Sequence, residues 1–304
     1  MKRLPMVCMA LLLALPPAVA QEAGPTPSTT NVRLLADMPY GPDAQQRMDV
    51  YLPQQPRGAP VLVMVHGGAW MFGNKGAASV VDRKVEHWVR GQGFILVSVG
   101  YRFVPQVTPL EQAQDVARAV AAAQAHAASW GADPSRLVLV GHSAGAHLVA
   151  LIGASSAIAR QQGARRWLAT VALDSAALDT VALMQRRHLP FYDRVFGNDA
   201  ALWRAVSPTE TLAPDAPPML LVCSTQRRDG SCAQARQFAA RVASAGGRAD
   251  LLPLDLSHAA IDAELGLPGA YTADVDAFIR SVDKPARPAT RSPPSSQAPS
   301  VEAR

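Results

Sequence analysis

Charged side chains are sparse in this chain of 304 residues, at 17%, and aromatic ones sparser, at 6%. Cysteine is nearly absent: of the three, Cys8 falls in the first twenty residues, leaving Cys223 and Cys232. So few thiols exclude a small fold held together by several disulfides, although one bridge between the remaining pair is expected. No Cys/His spacing resembles a metal site, so no metal is expected. After residue 20 no apolar run approaches the roughly 20 residues that a membrane span requires. The basic excess is missing from the body as well. Of the formal +5, Lys2 and Arg3 supply two, and Lys284, Arg287, Arg291 and Arg304 against Glu302 supply three, leaving zero for residues 21–283. A neutral body gives no electrostatic argument for nucleic acid or a membrane surface, so no nucleic-acid partner and, without a span, no stable membrane insertion are expected.

The two ends read differently from the middle. A basic start, an apolar stretch interrupted by Pro5, Pro16 and Pro17, and Ala18-Val19-Ala20 make 1–20 a secretory signal peptide. Export to the periplasm or the outside is therefore expected. Residues 21–30 form a linker. At the other end, 284–304 is rich in Pro, Ser and Ala and cannot build a packed core, so a disordered tail is expected. The stretch between, 31–283, has the size of one α/β domain with a large core.

Within it, short aliphatic runs alternate with helical stretches. Val61–Val65, Phe94–Val99, Leu137–Val140, Leu168–Leu173, Met219–Cys223 and Ala249–Leu254 are near-continuous apolar runs, as parallel strands covered on both faces require. Met48–Leu52 alternates and suits an antiparallel strand ahead of them. Thr108-Pro109-Leu110-Glu111 is a capping box with Pro at the first helical position, opening an Ala-rich helix that Gly131 stops. Further helices are expected near 77–90, 144–154, 233–245 and 271–281. This order implies an α/β fold with a mostly parallel, doubly wound sheet. The longer stretch 178–212 is expected to form a small helical lid over the strand ends, where ligands bind in such sheets.

Gly141-His142-Ser143-Ala144-Gly145 stands between an expected strand and an expected helix. A sharp turn there would strain the serine and project its hydroxyl above the sheet, with glycines leaving room for the turn. Ser143 is thus the candidate nucleophile. His66-Gly67-Gly68-Ala69-Trp70 follows the strand Val61–Val65. Its small residues would let backbone N–H groups approach a developing oxyanion, with Gly68, Ala69 and Ala144 as donors. His66 itself is read as a structural residue of that loop.

Of the seven histidines, His258 follows the last strand and is the candidate base. His87 and His126 lie within helices, His142 and His147 flank the serine on the wrong side, and His188 in the lid is the main competitor. For the acid, chain order favours a residue between Ser143 and His258. Asp229 is preferred, with Asp174 and Asp179 as alternatives; Asp255 stands too close to His258 in the chain. A Cys223–Cys232 bridge would close the loop that carries Asp229.

These motifs, over residues 45–282, resemble the α/β-hydrolase superfamily. Within it they are similar to the hormone-sensitive-lipase-like esterases, and especially to the arylformamidase (kynurenine formamidase) branch. The resemblance implies Ser143 as nucleophile, His258 as general base, Asp229 as orienting acid, and Gly68, Ala69 and Ala144 around the oxyanion, with no cofactor. It departs from the family pattern in two places. Ala69 replaces the third glycine of the lipase motif. Ser224 and Arg227 stand where the Gly and Asp of the usual Gly-x-x-Asp would fall, so Asp229 comes two residues late. A secreted serine hydrolase of short-acyl or aryl carboxylic esters is expected; an arylformamidase or other amide-directed enzyme is the alternative, and a binding protein without catalysis the remote one. Its partner would be a small-molecule ester or amide. The sequence carries no signal of oligomeric state.

Overall fold

The apolar runs pair side by side. In the computed structural model, which describes residues 31–283, β1 (Arg33–Pro39), β2 (Arg47–Leu52), β3 (Ala59–Val65), β4 (Ile95–Val99), β5 (Ala132–His142), β6 (Ala169–Leu173), β7 (Met219–Ser224) and β8 (Ala249–Leu254) form one sheet in the order β1-β2-β4-β3-β5-β6-β7-β8. β2 runs antiparallel to β1 and β4, and the strands from β4 to β8 are parallel. The doubly wound α/β sheet expected from the run pattern is the one observed. The expected signal peptide, linker and tail lie outside the described residues.

Alternation along β3 shows why the runs are apolar throughout. Val61, Val63 and Val65 pack into one core with Val116, Ala117 and Val120 of α2 (Pro109–His126), while Leu62 and Met64 pack into a second with Val80 and Val81 of α1 (Ala78–Lys84). Both faces of the strand are dry, so neither parity can be polar. The capping box forms as the spacing predicts: Glu111 N–H donates to Thr108 Oγ1 and Thr108 N–H donates to Glu111 Oε2. The helix expected over 77–90 is α1 followed by a π-helical turn, Val85–Arg90.

α3 (Ala144–Ala154) is buried along its whole length against β5, β6 and α2, and α4 (Ser156–Gln161) follows it. The segment 178–212 folds as three short helices, α5 (Thr180–Gln185), α6 (Phe191–Phe196) and α7 (Ala200–Ala205). α8 (Ser231–Ser244), α9 (His258–Ala263) and α10 (Ala270–Val282) complete the described residues, and no helix among them is long and apolar enough to cross a membrane. Strand β1 had no counterpart in the run pattern, because most of its residues are exposed at the sheet edge.

Candidate active site

The turn between β5 and α3 places Ser143 at φ 55° and ψ −114°, a conformation that L-residues rarely adopt. Ser143 N–H donates to Leu173 O at 2.9 Å, which ties the strained residue to the end of β6. The glycine at 145 is required by packing: a Cβ there would stand 2.2 Å from Val65 O, so α3 could not approach β3 as closely. Ser143 therefore sits above the sheet at the start of a buried helix, where the dipole favours negative charge.

Ser143 Oγ and His258 Nε2 are 2.9 Å apart, and His258 Nδ1 lies 2.6 Å from Asp174 Oδ2. With the proton on Nδ1, His258 donates to Asp174, and Nε2 is left to accept the serine hydroxyl proton. His258 begins α9, whose N-terminus is capped by Ser257 Oγ accepting from Ala260 N–H. Asp174 directly follows β6 at φ 61° and is fully buried. Burial alone would raise its pKa. The bonds from His258, Arg227 and the Ser224 N–H outweigh that and hold the carboxyl well below the ordinary carboxylate range.

The acid preferred from the sequence, Asp229, is not the one at His258. Its carboxylate is taken up by Arg227 two residues earlier, through Nε at 2.9 Å and a second contact from Nη2. The same guanidinium reaches across to Asp174, donating from Nη1 to its backbone oxygen at 2.8 Å and to Oδ2 at 3.1 Å. Nη1 also stands 3.0 Å from His258 Nδ1, but two N–H groups face each other there once Nδ1 donates to Asp174. Arg227 thus occupies the place where the family pattern carries its Asp, and the carboxylate comes from the neighbouring strand end. Asp179 caps α5, and Asp255 bonds Gln226. The expected bridge is present: Cys223 is bonded to Cys232 and closes the loop bearing Arg227 and Asp229.

The loop after β3 turns back on itself through three consecutive residues at positive φ, Gly68 (123°), Ala69 (48°) and Trp70 (60°). Gly68 O accepts from Met71 and Phe72 N–H, each at 3.0 Å, which locks the turn. No side chain fits at 68, because a Cβ would stand 1.8 Å from Phe72 O. No protein acceptor among the described residues takes the N–H of Gly68, Ala69 or Ala144. Gly68 and Ala69 line the same cleft as Ser143, Asp174 and His258, a cavity of about 440 Å³ that Leu189, Phe191 and Tyr192 close from the lid side.

The remaining histidines divide by environment. His66 is buried, stacks on Tyr101 at 4.6 Å and bonds Gly67 O, and burial pushes its pKa down. His142 packs its ring on His258 at 4.6 Å and donates from Nε2 to the His258 backbone oxygen at 2.9 Å. Burial, partly countered by Asp262, pushes His142 down to about 4. His147 accepts from Trp70 Nε1 and donates to Val206 O, joining the loop after β3 to the segment after α7; burial pushes it also to about 4. His188 bonds Asp193 and Arg186 O and does not line the cleft. The support that His142 provides was invisible in sequence, where it is only a flanking residue of the turn.

The family model BD-FAE matches residues 48–242, more than half of the chain. Esterase LipQ of Mycobacterium tuberculosis is 30% identical over 279 residues, covering 84% of this chain and 61% of that protein, so the chain spans less than two thirds of that relative. A truncated carbohydrate esterase from gut microbiota superposes with a TM-score of 0.68 at 18% identity, covering 85% of this chain and 99% of the other. Esterase B of Lactobacillus Rhamnosis does so with a TM-score of 0.65 at 21% identity, covering 86% and 87%. At these identities the two structures establish likeness of fold.

Proposed function

Because the chain belongs to the BD-FAE family within the α/β-hydrolase superfamily, we propose that it hydrolyses carboxylic esters of small molecules, with Ser143 as nucleophile, His258 as base and Asp174 as orienting acid. The observation that carries this reading is the continuous hydrogen-bonded chain Ser143–His258–Asp174, at 2.9 and 2.6 Å, on a strained turn lining an open cleft.

The chemistry follows from that order. His258 Nε2 takes the hydroxyl proton as Ser143 Oγ bonds to the ester carbonyl carbon. The carbonyl π electrons move onto oxygen, and the backbone N–H groups of Gly68, Ala69 and Ala144 are the donors offered to that oxyanion. The protonated imidazole then gives its proton to the departing alkoxide, leaving an acyl group on Ser143. Water repeats the sequence with His258 as base and releases the acid. Asp174, kept ionised by its bonds, holds the imidazole in the reactive tautomer and faces the positive charge it acquires.

The finer reading is a short-acyl or aryl esterase that works after export. The cleft volume suits a small ester, and the signal-like leader together with the Cys223–Cys232 bridge favours an oxidising compartment. The test is a substrate panel on the purified mature chain, with p-nitrophenyl acetate and butyrate set against N-formylkynurenine. The esters are expected to have the higher kcat/KM; preferential turnover of the formamide would replace the ester reading with an amide-directed one.

A further inference from the structure

Beside the cleft lies a second cavity, of about 560 Å³, that shares Leu189, Tyr192, Arg227 and Asp229 with it as common walls. Its far side is basic. Arg186 and Arg187 reach it from the end of α5, and Arg228 from the loop after β7. Arg227 stands at the boundary between the two cavities, its charge shared between the carboxylates of Asp229 and Asp174. The other three guanidinium groups have no carboxylate partner among the described residues; Arg186 donates to the backbone oxygen of Asp229, at 2.7 Å, which leaves its charge uncompensated.

Three cations without a carboxylate partner thus line one cavity from two separate segments, within a body whose formal charges sum to zero over residues 21–283 when these three are counted. All three arginines are exposed, so water screens their mutual repulsion, and a bound anion would find them free to turn toward it. The guanidinium fork matches a carboxylate in shape as well as in charge. A ligand that spans the shared wall would hold its ester carbonyl at Ser143 and its far end among these arginines.

We propose that this cavity is a subsite for a carboxylate carried by the substrate at the end remote from the scissile ester, bound by Arg186, Arg187 and Arg228. The proposal rests on the ester-hydrolase reading of the cleft and adds the chemical class of substrate. The carboxylate belongs either to the acyl part, as in a dicarboxylic half-ester, or to the alcohol part, as in an acylated hydroxybenzoate.

Two matched pairs separate those sources: p-nitrophenyl hydrogen glutarate against p-nitrophenyl valerate, and 4-acetoxybenzoate against its methyl ester. In one of the pairs the charged member is expected to have a kcat/KM about tenfold or more above its neutral partner, as a charge-assisted hydrogen bond provides. That ratio should shrink as salt is raised and collapse in the double variant Arg187→Ala/Arg228→Ala. A ratio near one in both pairs, or one that survives the double substitution, overturns the subsite. Calorimetric binding of monoethyl glutarate and of diethyl glutarate to Ser143→Ala gives a readout independent of turnover. Tighter binding of the monoanion, lost in the arginine double variant, supports the subsite even if no ester is hydrolysed, in which case the hydrolase reading alone fails. Equal binding of the two glutarates, with neutral esters still hydrolysed, removes the subsite and leaves the hydrolase reading standing.

Discussion

Asp174 Oδ2 lies 2.6 Å from Nδ1 of His258, a residue 84 positions further along the chain. The contact exists because β6 and β7 are adjacent parallel strands. Asp174 leaves the end of β6, its carboxylate accepts the Ser224 N–H at the end of β7, and His258 arrives from beyond β8. Three consecutive strand ends therefore meet over one buried carboxylate.

The two aspartates near the cleft should respond differently to loss of charge. In Asp174→Asn the imidazole loses the acceptor that fixes its tautomer, and kcat should fall about ten-thousandfold. In Asp229→Asn only the pair with Arg227 weakens, and the fall should stay within about tenfold, as for a partly exposed ion pair. Steady-state kinetics on the two variants, with folding checked by circular dichroism, reads the difference. A larger loss at Asp229 would return the role to that residue.

Gly68 is held at φ 123° with Phe72 O where a Cβ would go. Gly68→Ala cannot keep this turn, so the N–H groups at 68 and 69 must swing away from the cleft. A loss of kcat of about a hundredfold or more is expected, as for removal of an oxyanion donor. Full activity in a folded Gly68→Ala variant would show that the turn contributes nothing to the reaction.

Stability should depend on pH through the buried histidines His66, His142 and His147, whose pKa values burial lowers. His142 and His147 are both pushed by burial from 6.5 to about 4, so each stays neutral in the folded state where the unfolded chain has already taken up a proton. Between those values the unfolded state binds more protons, and stability falls as pH falls, levelling once pH passes below about 4. Each histidine contributes on the order of a few kcal/mol to that decline. Asp174, whose folded pKa is depressed, keeps its stabilising charge through this window and loses it only under more strongly acidic conditions. Urea unfolding from pH 7 to pH 4 measures the slope. His147→Gln should make it shallower, and an unchanged slope would place the proton uptake elsewhere.

Much of this architecture was legible in the residue pattern. Strands buried on both faces, such as β3, announce themselves by unbroken apolar runs, and Thr108 and Glu111 mark a helix start by their spacing. Ser143 stood out by its glycine-flanked turn between an expected strand and an expected helix, and His258 by its place after the last expected strand. Strand β1 was not, since an exposed edge leaves little apolar signal. Asp229 was preferred over Asp174 as the partner of His258 because both follow strand ends, and chain order allows either. What separates them is three-dimensional: Arg227 captures Asp229 and reaches across to Asp174. Arg227 standing where the family pattern has its Asp was the signal available in the sequence. A cation at that position leaves the carboxylate to be supplied from another strand end, and Asp174 is the one that reaches His258.

The most direct measurement is covalent labelling by a fluorophosphonate, which phosphonylates an activated serine and is read by intact mass and by peptide mapping. The account predicts one adduct per chain, located on Ser143, forming rapidly in the wild type, absent in Ser143→Ala and slowed severely in Asp174→Asn. An unlabelled wild type, or an adduct that persists in Ser143→Ala, would contradict it.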